Sequence, residues 1–337
     1  MGTPTNQPGT ANFDASRPRA RWRAEASARR ARSVARSPTF GQRHDSPRLT
    51  AMKTLIASLD AHCRKEIRRL LRKPGRLAQP SPFMAVPFPL NVYAHVLLLV
   101  QGETKYLHYG LFASPDDDLT TAQLRSDALL RERLPPPPAH ILEVGMGMGT
   151  FAAELADAGY EVVAISPDEA QVRLADTMAV GRPNLSVLAL AFEQMPGRSE
   201  GPFDVVLLQE SAQYIGLNDL FTGAAALLRG QGRLMLIDEV ALRRSADGLQ
   251  NLHLLADIKA HAQRLGFSLA YEQDLSREAA PTVDFLLEHL ARLRDPLIDA
   301  LRLEPTALDD LHTVLQAYRA EYAVSRFGYV ALSFTML

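Results

Sequence analysis

The stretch "HILEVGMGMGTFAAEL", residues 140–155, decides the fold. Gly145, Gly147 and Gly149 alternate directly behind the apolar run Ile141-Leu142-Glu143-Val144, and a helix-like pattern follows. Glycine reaches φ > 0 freely and lets another group come close to the backbone. The stretch therefore predicts a strand, a tight turn that something approaches closely, and a helix.

The same alternation continues downstream. Strands are expected at 140–144, Glu161–Ile165, Leu185–Leu190 and Phe203–Leu208 ("FDVVLL"), with further strands in "GRLMLIDEV", "FSLAYEQDL" and "RFGYVALSFTML". Helices are expected at 149–158, 168–179, 218–229 ending at Gly230, and 249–265 ending at Gly266. Strand and helix in alternation imply βαβ units and an α/β, doubly wound, mostly parallel sheet. Helical periodicity over about 276–325 forms an insertion before the last strand, and its Phe285, Leu286, Leu290 and Leu293 either line a pocket or pack on the body.

Upstream, residues 1–51 are rich in Arg, Ala, Ser and Pro and lack any sustained period, so they are expected to be a disordered extension. Met52 opens an amphipathic segment carrying Leu55, Leu59, Ile67, Leu70 and Leu71, and its basic face is expected to be solvated rather than held at a membrane. Helices from about Asn91, a candidate N-cap, to Leu99 and from about Leu119 to Arg133 complete an N-terminal helical cap over 52–135. Pro135 to Pro138 then end any helix and deliver an extended chain into the first strand of the 136–337 domain.

Composition narrows the function. Hydrophobic residues make up 47% of the 337, enough for a full core, and no apolar run reaches the about 18–20 residues of a membrane span. Cys63 is the only cysteine, which excludes an intrachain disulfide and suits a reducing, cytoplasmic setting. The nine histidines lack metal-ligand spacing, so no metal site is expected. In residues 1–50 ten arginines stand against Asp14, Glu25 and Asp45, a balance of +7; with −1 for the whole chain, the remainder carries −8. An acidic body argues against nucleic acid as the partner and toward a small molecule, and leaves a homodimer open.

A dinucleotide fingerprint, G-x-G-x-x-G, needs glycine where Thr150 stands; here the spacing is G-x-G-x-G behind Glu143. "ILEVGMGMGTFAAELADAGYEVVAISPDEAQVRLA" resembles the first motif region of class I S-adenosylmethionine-dependent methyltransferases. The resemblance spans about residues 100–337. "MPGRSEGPFDVVLLQESAQYIG" is similar to the family's fourth strand and its loop, "LLRGQGRLMLIDEV" to its fifth, and "AHAQRLGFSLAYEQDLS" to its sixth. "KYLHYGLF", 105–112, resembles an aromatic H-Y-G segment that precedes the glycine motif in the small-molecule and lipid branch, which includes tocopherol methyltransferases and cyclopropane-forming enzymes.

The resemblance implies S-adenosylmethionine as cofactor and a Rossmann-like sheet. It implies that Gly145, Met146, Gly147 and Gly149 pass the cofactor's methionine part while Glu143 helps hold its amino group. The family's ribose-binding acid is replaced by Ser166, so that Asp168 either serves the ribose or caps the next helix. Where the family often has Asp beside adenine, Ala191 stands here; Phe192 is the expected ring contact and Glu193 the polar edge. Gln209, Glu210, Gln213 and Tyr214 follow the fourth strand, in a loop without the histidine that many relatives carry. His108, Tyr109, Glu210 and Tyr214 are the catalytic candidates, facing one pocket over the transferred methyl group, with His108 as base or as an ordering element. The function implied is in-line methyl transfer to a small, fairly apolar metabolite. A non-catalytic cofactor-binding protein and a cyclopropane-synthase-like lipid enzyme are the alternatives, a nicotinamide oxidoreductase a distant third.

Overall fold

The computed structural model of the chain describes residues 80–244 and 252–337. The expected extension 1–51, the segment from Met52 to residue 79, and positions 249–251 of an expected helix lie outside the described residues.

Two helices, α1 (Leu90–Gln101) and α2 (Leu119–Arg131), precede the sheet. There follow β1 (His140–Val144), α3 (Thr150–Asp157), β2 (Glu161–Ser166), α4 (Glu169–Ala179), β3 (Leu185–Ala189) and β4 (Phe203–Gln209). Next come α5 (Leu217–Leu227), β5 (Leu228–Ala241), α6 (Leu255–Arg264) and β6 (Phe267–Asp274). The helical insertion is α7 (Ser276–Ala279), α8 (Pro281–Arg292), α9 (Arg294–Leu301) and α10 (Pro305–Ala323), and β7 (Phe327–Met336) closes the chain. The seven strands form one sheet in the order β3-β2-β1-β4-β5-β7-β6. β7 is antiparallel to both its neighbours, and the other pairs are parallel.

The parallel strands are covered on both faces, which is why they read as near-continuous apolar runs. Leu142, Val144, Val206, Leu208, Leu234 and Leu236 join Leu220 and Phe221 of α5 and Ile258 of α6 in one core. Their alternates Ile141, Val205, Leu207, Met235 and Ile237 meet Leu130 of α2, Phe151 and Leu155 of α3, and Ala175 of α4 in another. α1 and α8–α10 share a third cluster through Val92, Val96, Leu97, Leu286, Leu290, Leu297 and Leu311.

Three boundaries differ from expectation. The helix expected at 218–229 ends at Leu227, because Leu228 already pairs with Phe203 and the chain then loops out to rejoin at the Val205–Arg233 pair, with Gln231 left-handed at φ 64. Asn91 is not a cap: Pro89 occupies that place, and Asn91 is buried inside α1. The helix expected at 249–265 begins at Leu255, after an isolated bridge between Ala241 and Leu254 has used the preceding backbone.

Gly149 shows what one of the glycines is for. It caps α3 at φ 76, and a Cβ there would lie 2.6 Å from Ala175 Cβ and 2.8 Å from its Cα. Gly149→Ala should cost about 2–5 kcal/mol, left-handed strain of about 1–2 kcal/mol added to overpacking of about 1–3 kcal/mol. Gly181→Ala, at φ +81 with nothing within 4 Å, should pay the strain alone. Urea unfolding of the two variants checks the difference.

Candidate active site

Successive side chains of a strand point to opposite faces, so strands in register can end on one face together. On the face that carries Ile141, Val205, Leu207, Met235 and Ile237, the next positions toward the carboxyl edge are polar. Glu143 ends β1 there, Ser166 ends β2, Gln209 ends β4, and Glu239 lies near the end of β5. All four are buried.

α2 lies over this edge. Its inward positions Gln123, Ser126 and Asp127 are buried, Asp127 completely. Gln209 Nε2 donates to Asp127 Oδ1 at 3.2 Å. The segment 105–112 runs between α2 and the sheet as a strap. Its His108 is buried, with Nε2 3.1 Å from Asp127 Oδ1 and Nδ1 3.0 Å from the Tyr109 carbonyl oxygen. Both ring nitrogens therefore face acceptors, which suits an imidazolium with a proton on each. Burial, the largest effect, works against that charge. The charge and hydrogen bond of Asp127, the charge of Glu210 and the Tyr109 carbonyl together outweigh it and raise the His108 pKa. His108, expected as base or as ordering element, is thus a buried ring set between two acceptors. The His108 carbonyl is held by Tyr93 Oη at 3.2 Å and Gln123 Nε2 at 2.8 Å.

Of the three glycines, only Gly147 faces open space. A Cβ on Gly145 would lie 2.5 Å from Ser211 Cβ, so that glycine admits the loop after β4; at Gly147, φ +56, the nearest atom is Leu107 Cδ1 at 3.8 Å. The Met146 side chain is buried in the core beneath the turn. After β2, Asp168 caps α4, its Oδ1 accepting from Gln171 N at 2.8 Å, and the buried Ser166 hydroxyl donates to Gln171 Oε1 at 2.9 Å. Phe192 is the clearest departure among the cofactor candidates. Its ring fills the notch at Gly223 of α5 and is 2% exposed, which takes it away from any ring that binds at the edge; Glu193 is exposed.

On the side of the insertion, Glu210 follows β4 in a left-handed conformation, φ 56, unusual for a residue with a side chain. This turn brings its Oε1 to the Tyr109 N–H and the Tyr329 hydroxyl, each at 2.6 Å. The Tyr109 and Tyr329 rings stack at 5.6 Å. Glu239 accepts from Tyr322 Oη of α10 at 3.0 Å, and burial pushes its carboxyl up to about 8, helped by the charge of Glu210. Asp238 is raised by burial and by Glu210, and takes Gln213 N at 3.1 Å. Burial also raises Glu210, against the opposing pull of His108 and its two donors. Tyr214 is not brought to this wall: it is 62% exposed, whereas His108 is 8% exposed.

Thus the structure gathers His108, Tyr109, Glu143, Gln209 and Glu210, and leaves Phe192, Glu193 and Tyr214 elsewhere. Sequence reading missed Asp127, Glu239, Tyr322 and Tyr329. For Glu239 a signal exists, since "LMLIDE" is an apolar strand that ends in acids. For Asp127 none exists, because only packing tells which turn of α2 faces β1. Among the described residues no group of His, Cys, Asp or Glu is arranged to hold a metal ion, and no helix is long and apolar enough to cross a membrane.

Glu143 makes the electrostatics testable. Burial first, then the charge of Asp127 on α2 and more weakly Glu154 on α3, push its carboxyl up to about 8 against the pull of His108. The native chain then keeps a proton that the unfolded chain loses near the ordinary value of 4.5. Its contribution to stability is full below that value, falls as pH rises to about 8, and is flat above. Other raised acids add to the same slope, so Glu143→Gln should lose less stability than the parent between these limits. Urea midpoints of both proteins at pH 5 and pH 8.5 measure it.

Comparison with known proteins agrees with this geometry. Residues 142–236 match a family model described as a methyltransferase domain. The chain is similar to the ubiquinone biosynthesis O-methyltransferase of Caulobacter sp. (strain K31), 28% identical over 106 residues, 31% of this chain and 42% of that protein. It is similar to the protein of the same name from Caulobacter vibrioides, 28% identical over 123 residues, 34% and 49% of the two chains. The chain spans less than half the length of these curated relatives. Among solved structures, the cyclopropane synthase MmaA2 from Mycobacterium tuberculosis superposes with a TM-score of 0.61 at 17% identity, covering 68% of this chain and 89% of that one. The [4+2]-cyclase SpnF gives 0.63 at 18%, covering 77% and 97%. At such identities a superposition shows shared fold, and that fold carries more than one chemistry. Residues 142–236 thus match a methyltransferase domain, on a fold shared with these structures.

Proposed function

We propose that this chain transfers the methyl group of S-adenosylmethionine to a small, fairly apolar acceptor held between the strap and helices α8–α10. The observation that carries the reading is Glu143 Oε2, a carboxylate oxygen buried at the end of β1 with no hydrogen-bond partner. An unmet buried acceptor is costly. It fits the cofactor's amino group, and the open side of Gly147 beside it fits a ligand passing over the turn.

When bound, S-adenosylmethionine supplies a methyl group on a sulfonium sulfur that an aligned nucleophile displaces directly. The protein's part is then to bind, align and exclude water. Glu143 and the Gly147 turn hold the amino-acid end. The insertion packs Leu286 and Leu290 of α8 on α1 and ties to the sheet through the Tyr322–Glu239 hydrogen bond. Where the acceptor is a hydroxyl or an amine, Glu210 is the carboxylate placed to take its proton, with its upward-shifted pKa making it a better base than an exposed acid.

Calorimetry should show binding of S-adenosylmethionine and S-adenosylhomocysteine and none of NAD. Gly147→Ala should fold, since its Cβ meets only Leu107 at 3.8 Å, yet bind cofactor at least about tenfold more weakly. A metabolite extract incubated with methyl-labelled cofactor should yield a labelled product. Glu210→Gln should lower turnover about 100-fold with unchanged affinity for S-adenosylhomocysteine. A parent protein that binds no cofactor would overturn the proposal; one that binds it tightly and labels nothing is a binding protein instead.

A further inference from the structure

The carboxylate of Asp127 has a geometry that packing alone does not explain. It is completely buried, and Oδ1 takes both of its contacts: His108 Nε2 at 3.1 Å and Gln209 Nε2 at 3.2 Å. Oδ2 is buried and has no partner. Glu143 on β1 likewise has Oε2 buried and unmet. A carboxylate with a purely structural task turns both oxygens to donors, because each one left unmet costs a large part of its hydration. Here two buried carboxyl groups, Asp127 on α2 and Glu143 on β1, each keep an oxygen without a partner.

His108 does not fill the gap: its Nε2 lies 3.1 Å from Oδ1 without completing a hydrogen bond, and its Nδ1 is 3.0 Å from the Tyr109 carbonyl oxygen. The cluster therefore holds two buried carboxyl oxygens without a partner, Asp127 Oδ2 and Glu143 Oε2. A primary ammonium is the complement, with three N–H donors and a single positive charge.

We infer that Asp127 is a second carboxylate of the cofactor's ammonium subsite, its Oδ2 and Glu143 Oε2 sharing that group, with His108 as the positioning residue that aims it. The inference rests on the reading of the site as one for S-adenosylmethionine. It gives α2, which lies upstream of the glycine motif, a direct part in cofactor binding. It also links the two halves of the site. His108 is followed by Tyr109, whose N–H donates to Glu210 on the acceptor side, so the strap that fixes Asp127 also fixes the proposed base.

The test compares two ligands that share the adenosine thioether. S-adenosylhomocysteine carries the amino-acid end; methylthioadenosine lacks it. Asp127→Asn should weaken S-adenosylhomocysteine at least tenfold and leave methylthioadenosine within twofold. His108→Gln, which keeps a donor for Oδ1 but no charge, should weaken S-adenosylhomocysteine by a smaller factor with the same selectivity. In the parent protein, nitrogen chemical shifts should report both His108 ring nitrogens protonated at pH 7. Addition of S-adenosylhomocysteine should shift the side-chain carboxyl carbon resonances of Asp127 and Glu143 together, a readout that needs no variant to fold. Equal losses for both ligands in Asp127→Asn, no loss for either, a neutral His108, or an Asp127 resonance that ignores the ligand would each overturn the inference. If the parent binds neither ligand, the cofactor reading itself falls. If the parent binds both and Asp127→Asn matches it, only the role of Asp127 falls.

Discussion

Burying the carboxylate of Glu143 beside that of Asp127 costs several kcal/mol per charge unless donors or opposite charge meet them. Much of the structure around the end of β1 supplies that compensation. The parallel strands β1, β2, β4 and β5 each place a polar residue on the same face near the carboxyl edge, because alternation in register carries their apolar partners below it. α2 lowers Asp127 onto that row, Gln209 donates to it, and the His108 ring lies 3.1 Å from the same oxygen, with the Asp127 carboxylate favouring its protonated form.

The strap in turn connects parts of the chain that are far apart in sequence. Lys105 accepts from Thr150 Oγ1 at the start of α3, and Tyr106 Oη donates to Glu154 one turn further on. Gly110 N donates to Thr282 Oγ1 of α8 at 3.1 Å, and Phe112 N to the Glu278 carbonyl of α7 at 2.9 Å. Leu111 N reaches the Ala122 carbonyl of α2 at 2.8 Å, and a Cβ on Gly110 would lie 2.5 Å from Ala122 Cβ. A segment without regular structure must place its backbone donors somewhere. Here they go to the helices beside the site and to the insertion, so the strap sets the distance between the two.

This explains which features the sequence disclosed. Strand β1 was legible to the residue, and β4 nearly so, because buried parallel strands are apolar runs bounded by turn residues. Glu143, Gly147, His108, Tyr109 and Glu210 were legible through local motifs. What escaped depends on tertiary context. Asp127 looks like one polar residue among several on a short helix, and Tyr322 and Tyr329 reach Glu239 and Glu210 only after α10 and β7 have folded back. Phe192 depends on tertiary context too, since an aromatic behind a strand suits a ligand or a core equally well, and its ring packs on Gly223 of α5. Asp168 offered two roles from the start, and the bond to Gln171 N accounts for one carboxylate oxygen as a helix cap.

The glycine turn shows how a motif can be read for the right fold and still mislead about contacts. Three alternating glycines suggest a ligand lying along the whole turn. In the structure Gly145 yields to Ser211 and Gly149 to Ala175, so two of the three approaches are made by the protein itself. These two contacts seat the loop after β4 and helix α4 against the turn, and thereby carry Gln209 and Glu210 to one side of it and Ser166 and Asp168 to the other. Gly147, between them, is the position whose missing side chain leaves space unfilled. The outer glycines therefore shape the site by letting its walls close, and the middle one keeps the floor low enough for a ligand to lie across it.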